Sequence, residues 1–353
     1  MLILNPDTYS LIAKRLLFAI PPEIAHSLTS FALKQEPVWR GLSSVFRVQD
    51  PRLEVDLSGM KLENPVGLAA GYDKNCEFLP SLAALGFGYV SGGTVTLLPR
   101  PGNPSPRIIR YTQDESLINS LGFPNHGLEL AARRLEQNYD TRGDTPVVVS
   151  VSGITPDEIV ACHRRMEPLV DAIEINISSP NTLGLRVFQE PIALADLLGK
   201  VSDGRRKPLF VKLPPYASNE ISSTSSKNSV REQVLSLAKV CVEQGVEDLT
   251  VSNTWPAMDS RLAVGSGGIS GKVIFPDTLR MVAEVKAEVG DRAAINACGG
   301  IFSGEDAFMA LQAGATSVQL LTGLIYRGPG IVKRINEELL SLLFSQDASP
   351  TAA

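Results

Sequence analysis

Eight short apolar segments recur along this chain, and helical patterns lie between most of them. That alternation restricts the fold more than any other feature of the sequence. The apolar segments are Val66–Ala69, Tyr89–Gly92, Pro146–Val151, Ala172–Ile177, Leu209–Leu213, Asp248–Ser252, Ala293–Ala297 and Ser317–Leu321. Helical spacing falls at Pro80–Leu85, Leu128–Gln137, Asp157–Met166, Val230–Gln244, Asp277–Val289 and Glu305–Ala313. Eight βα repeats over roughly 280 residues predict an α/β protein with a closed parallel (β/α)8 TIM barrel. A doubly wound open sheet is the alternative, but no GxGxxG follows the first strand to support it.

Residues 1–46 precede this pattern and read as a separate helical extension, 47–345 as the barrel, and 346–353 as a disordered tail. Tyr9, Leu11, Ile12, Leu16 and Ile20 fall near helical spacing, with Asn5 or Asp7 as a cap and Pro21-Pro22 as a stop. A second helix starting at Pro22 carries Ile24, Leu28, Phe31 and Ala32 on one side. The pair can pack on the barrel or lie on a membrane surface with its apolar side down. Leu53–Leu57 and Met60–Leu62 alternate around Ser58-Gly59 and predict a β-hairpin. The polar Ser218–Ser229 stretch reads as a loop, either an inert insertion or an active-site lid.

The net charge of −5 gives no sign of a nucleic-acid partner. Cys76, Cys162, Cys241 and Cys298 are too scattered for a zinc knuckle or a CxxC pair. With only His26, His126 and His163, an imidazole-rich metal site is not expected, and no metal is assigned.

Barrel enzymes place their chemistry at strand C-terminal ends. Here those ends carry Lys74, Lys212, Asn176, Asn181 and Asn253, with Asn119 counted at the same mouth. Such a ring of amides suits a planar ligand with alternating C=O and N–H groups, a pyrimidine or a flavin. Gly299-Gly300 and Thr322-Gly323 follow the last two strands, where barrels commonly hold a phosphate, although tight turns alone also use such glycines. A lysine at a strand end could instead form a Schiff base, which keeps a Lys212-dependent lyase open.

Several motifs together resemble the dihydroorotate dehydrogenases from about Pro22 to Pro329. They are Gly71-Tyr72-Asp73-Lys74-Asn75, Gly93-Thr94-Val95-Thr96, Pro101-Gly102-Asn103, Ile118-Asn119 with Gly122-Phe123, Asn176-Ile177-Ser178-Ser179-Pro180-Asn181-Thr182, and Gly267-Gly268-Ile269-Ser270-Gly271. Ser179 stands where class 2, quinone-dependent members carry a serine base, and Pro22–His26 is similar to their N-terminal extension. The resemblance implies FMN-dependent oxidation of dihydroorotate to orotate in pyrimidine synthesis, with electrons passed to a membrane quinone. It implies peripheral association with the cytoplasmic side of a cell inner membrane, since Met1–Pro6 lacks the character of a mitochondrial targeting segment.

By the same resemblance Ser179 takes a proton from C5 of dihydroorotate. Thr182 and Phe123 shape the relay that a serine base needs. Asn119, Asn176, Asn181, Asn253 and Thr254 hold the pyrimidine, and Lys74 meets its carboxylate. Lys212 faces the flavin N1–O2 edge and stabilises the negative charge of reduced FMN. Ala69, Ala70, Gly71, Tyr72, Asp73, Thr94, Ser252 and Gly271 line the flavin, Gly300 and Thr322 bind its phosphate, and His26 and Arg110 lie on the quinone side. Ser150, Asn176 and Leu321 are counted with the flavin contacts, although Ser150 replaces a usual asparagine there and Leu321 a tyrosine that often reaches the flavin and quinone pocket; Ser120 replaces a usual arginine and Pro124 a frequent asparagine. A related flavin barrel acting on another dihydropyrimidine remains the main competing reading.

Overall fold

The computed structural model describes residues 9–138, 143–179, 184–216 and 227–347. The chain opens with a wide helical turn, Tyr9–Ala13, that runs into α1 (Lys14–Phe18). α2 (Pro22–Leu33) and α3 (Glu36–Phe46) follow. Both start with proline in the first turn, where its missing N–H costs nothing. Next comes an antiparallel hairpin of β1 (Val55–Leu57) and β2 (Met60–Leu62).

The repeating part begins with β3 (Val66–Asp73), α4 (Leu79–Ala83) and β4 (Tyr89–Val95). β5 (Ile108–Tyr111) and β6 (Ser116–Asn119) precede α5 (Leu128–Asn138), β7 (Val147–Val151), α6 (Pro156–Met166) and β8 (Ala172–Asn176). Then come α7 (Pro191–Ser202), β9 (Leu209–Lys212), α8 (Lys227–Glu243) and β10 (Asp248–Val251). β11 (Trp255–Met258) and β12 (Ser266–Gly271) lead to α9 (Phe275–Val289), β13 (Ala294–Cys298), α10 (Gly304–Gln312) and β14 (Ser317–Leu320). α11 (Thr322–Arg327) and α12 (Ile331–Asp347) complete the described chain.

β3, β4, β7, β8, β9, β10, β13 and β14 close into a parallel barrel, sealed where Val318 pairs with Val66. The open-sheet alternative is therefore excluded. Strands such as β7 and β8 are buried throughout, because helices cover their outer faces and neighbouring strands fill the interior. Capping boxes start two of the covering helices, Thr155 with Glu158 at α6 and Ser303 with Asp306 at α10. The β1–β2 hairpin packs Leu57, Met60 and Leu62 against Tyr89, Val148 and Phe210, plugging the N-terminal end of the barrel. Inside, the Tyr89 ring occupies the space that a side chain at Gly67 would need, its Cβ falling 2.2 Å from the ring.

Two features differ from the sequence reading. β11, β12, β6 and β5 form a second, antiparallel sheet that the strand pattern did not reveal. Pro256 in β11 and three glycines in β12 erase the usual strand signal. The tail expected from residue 346 starts within α12, which runs to Asp347. Most of the Ser218–Ser229 stretch lies outside the described residues, and α8 begins within it at Lys227. Among the described residues no helix is long and apolar enough to cross a membrane.

The leading helices are seated on the barrel. The Tyr9 hydroxyl donates to the Ile325 carbonyl at 2.9 Å, Arg107 Nε meets Glu23 at 2.6 Å, and Leu33 and Phe46 join the main core. Their other side exposes Leu16, Ile24, Leu28, Phe31 and Val38.

Candidate active site

A cavity of about 900 Å³ occupies the C-terminal mouth of the barrel and continues between the barrel and the leading helices. Barrel strands supply its floor, the antiparallel sheet one wall, and α2 with the wide turn at Tyr9–Ala13 its outer reach.

The amides converge on the floor. Asn176 ends β8 and donates through Nδ2 to Thr94 Oγ1 at 3.2 Å. Its Oδ1 accepts from the Ser178 backbone N–H and from Asn253 Nδ2, each at 3.2 Å. Asn253 Nδ2 also donates to Ser178 Oγ at 2.9 Å, and its Oδ1 accepts from the Thr254 N–H at 2.7 Å. Asn119, at the end of β6, lines the same space and donates to the Gly268 carbonyl at 3.3 Å. Each of these side chains is thereby held in one orientation. Ser178 is the member that the sequence reading did not single out. Its neighbour Ser179 is half-buried and lines the cavity.

Both lysines reach the cavity as expected. Lys74 Nζ donates to the Gly71 carbonyl at 2.6 Å, and burial pulls its pKa down to about 8. Lys212 Nζ lies 3.7 Å from Cys298 Sγ. Burial pulls this ammonium down too, yet its interactions with Cys298 and Glu174 outweigh it, and its pKa stands above the ordinary lysine value.

On the opposite side the glycine loops approach closely. Gly299 and Gly300 have φ of +145° and +78°. A Cβ on Gly300 would fall 2.5 Å from Phe275 Cβ, and one on Gly323 2.6 Å from the Ile301 carbonyl oxygen. Only glycine lets these loops pass, which leaves backbone facing the cavity beside the start of α11. Thr322 Oγ1 bonds Ser270 Oγ at 2.9 Å and ties this corner to the antiparallel sheet.

Ala69, Ala70, Gly71, Tyr72, Asp73, Thr94, Phe123, Ser252, Thr254, Gly271, Leu321 and Thr322 all line the cavity. Ser150 does not line it, and Asp73 carries a second commitment. Ser150 is fully buried outside the lining, its hydroxyl 3.1 Å from Thr94 Oγ1, because Thr94 stands between it and the cavity. Asp73 spends its carboxylate on the backbone N–H groups of Glu77 and Phe78, at 2.9 and 2.8 Å, and so orders the loop after β3. Asn181 and Thr182 lie outside the described residues.

At the outer end His26 packs edge-on against Tyr72 at 5.3 Å. Burial, helped by the Lys74 charge, lowers the His26 pKa to about 4, so the ring is neutral near pH 7. Arg110, on β5, stacks 4.4 Å over Phe18 and donates to the Ile20 carbonyl at 2.9 Å.

Cation, amides, hydroxyls and a glycine cradle at the C-terminal end of a closed parallel barrel define a (β/α)8 barrel enzyme with room for a cofactor and a small substrate. The family model for dihydroorotate dehydrogenase matches residues 52–343. A dihydroorotate dehydrogenase (quinone) of Coxiella burnetii is 38% identical over 341 residues, covering 92% of this chain and 94% of that protein. One of Halobacterium salinarum is 36% identical over 344 residues, covering 94% of each. Among solved structures, ligand-free DHODH from Eimeria tenella superposes with a TM-score of 0.81 at 30% identity, covering 92% of this chain and 96% of that one. The chain belongs to the dihydroorotate dehydrogenase family and to its quinone-dependent class 2.

Proposed function

We propose that this protein oxidises dihydroorotate to orotate on bound FMN and delivers the electrons to a membrane quinone. One observation carries the reading: Ser179 shares a cavity with an interlocked amide cluster, two lysines and a glycine cradle. The donor set suits FMN. The cradle at Gly299, Gly300 and Gly323 offers backbone to a phosphate, and Lys212 offers a buried cation to the isoalloxazine. When bound, FMN supplies the hydride acceptor.

The chain's own groups do the rest. Asn119, Asn176, Asn253 and Thr254 hold a pyrimidine by its C=O and N–H edges, with Asn181 from the adjoining segment. Lys74 attracts the substrate carboxylate. Ser179 removes the C5 proton, with Phe123 excluding water. Lys212 holds positive charge where negative charge gathers during reduction. His26 and Arg110 form part of the quinone passage between α2, Phe18 and the barrel. The exposed Leu16, Ile24, Leu28 and Phe31 rest on the lipid, as a peripheral protein on the cytoplasmic side of an inner membrane.

A Schiff-base lyase needs a neutral amine, whereas the raised pKa of Lys212 keeps it protonated. Ser179→Ala tests the main reading. Flavin reduction by dihydroorotate should slow by about 10²–10⁴-fold in anaerobic stopped-flow while FMN stays bound. Reduction at the wild-type rate would remove Ser179 from the base role.

A further inference from the structure

Lys212 stands on β9, between β8 and β10. On β8 its paired neighbour is Asn176, and Glu174 lies two residues earlier on the same inward face. On β10 its paired neighbour is Thr250. Thr250 Oγ1 donates to Glu174 Oε2 at 2.9 Å. A hydrogen bond from β8 to β10 crosses the intervening strand, so the Glu174 carboxylate runs through the barrel interior beneath the Lys212 side chain. Glu174 is 1% exposed, and its second oxygen, Oε1, has no hydrogen-bond partner among the described residues. A buried carboxylate with one unspent oxygen needs a neighbouring positive charge.

The other titratable groups around Lys212 do not supply a negative one. Burial pushes the Cys298 thiol on β13 up, although Lys212 opposes this, so it stays neutral near pH 7. Burial and then Glu174 raise the Asp248 carboxyl on β10 well above the carboxylate range, and Asn296 Nδ2 occupies its Oδ1 at 2.6 Å. Burial raises the Tyr89 phenol on β4 as well. Glu174 on β8 is the carboxyl that remains.

We propose that Glu174 is a positioning residue whose buried charge keeps Lys212 cationic and aimed at the cavity floor. It acts on the cofactor through Lys212 and touches neither cofactor nor substrate. The proposal rests on the reading of Lys212 as the cation beside FMN.

The test is the pH dependence of FMN affinity, followed by flavin fluorescence in the full-length protein. Affinity should hold while Lys212 is charged and fall as pH rises through its pKa. Glu174→Gln keeps the Thr250 hydrogen bond and removes the charge. Its alkaline limb should move to lower pH by about one unit or more, a tenfold or greater shift in the lysine equilibrium. Thr250→Val removes the hydrogen bond and keeps the charge, so its limb should stay near wild type. A Glu174→Gln limb that coincides with wild type overturns the proposal.

Lys212→Met separates the two readings. If FMN affinity and its pH profile survive that change, the cofactor role of Lys212 fails, and thermal unfolding alone then judges the pair. Glu174→Gln should lower Tm with Lys212 present and have little effect once residue 212 is methionine. Equal losses in both backgrounds overturn the pairing. Should Glu174→Gln alone fail to fold, adding Lys212→Met should restore folding, because the fault is then an unpaired buried cation. Failure to restore it also overturns the proposal.

Discussion

Lys74 and Lys212 are both buried ammonium groups on one cavity, and burial leaves them with opposite outcomes. For Lys74 desolvation wins and the pKa falls to about 8, whereas for Lys212 the interactions with Cys298 and Glu174 win and the pKa rises. The Lys74 charge is thus full below pH 8 and is lost as pH climbs through it. The KM for dihydroorotate should therefore rise above about pH 8. In kcat the limb should appear at higher pH, since a bound carboxylate pulls the lysine back up. Lys74→Met should raise KM roughly 10–100-fold at neutral pH and erase the limb, the usual worth of a charge-assisted hydrogen bond. Steady-state profiles from pH 6 to 10 for both proteins check this. At this scale the sequence was informative for side chains that line a cavity and silent about their commitments. Asp73 and Ser150 are polar residues at strand ends like the others, yet one is occupied by loop N–H groups and the other screened by Thr94. Such partners come from folding and leave no mark in a local motif.

Among the elements, legibility followed burial. The barrel strands are short runs of Val, Ile, Leu and Ala between turns, and their bounds agree with the sequence to within a few residues. The antiparallel sheet at the mouth was not legible, because β11 and β12 break the alternation with proline and glycine while one face meets the cavity. The leading helices pack on the barrel with one side and leave apolar side chains exposed on the other. Leu33 and Phe46 pack into the core, and Ile24, Leu28 and Phe31 remain 52%, 54% and 70% exposed. Removing residues 1–46 would uncover core surface, so point substitutions test the membrane reading more cleanly. Leu28→Glu with Phe31→Glu should weaken liposome binding at least about tenfold, since each side chain contributes about 1.5–3 kcal/mol when fully buried in an apolar phase. Turnover on long-tail quinone in liposomes should fall with it, and flavin reduction by dihydroorotate should not. Undiminished liposome binding would remove these helices from the lipid contact.

For the molecule as a whole, closure of the barrel dictates what depends on what. β14 meets β3 at Val318 and Val66, and the glycine cradle sits on the loops that follow β13 and β14, beside this seam. A phosphate held there ties together the loops that follow the last two barrel strands, beside the closing seam, so FMN should stabilise the whole fold. Stripping it should lower Tm by several degrees, and re-adding it at a hundredfold excess over Kd should return about 2.7 kcal/mol. A Tm indifferent to FMN would argue against the cradle. The contact between Tyr9 and Ile325 carries a further consequence, for the order of events during synthesis. The residues around Tyr9 are made long before their seat, which is complete only with α11. α2 and α3 meet β5 and α4 much earlier in the chain, so it is the Tyr9–Ala13 turn that waits for most of translation. That turn can therefore dock only once the last strand of the barrel has been made.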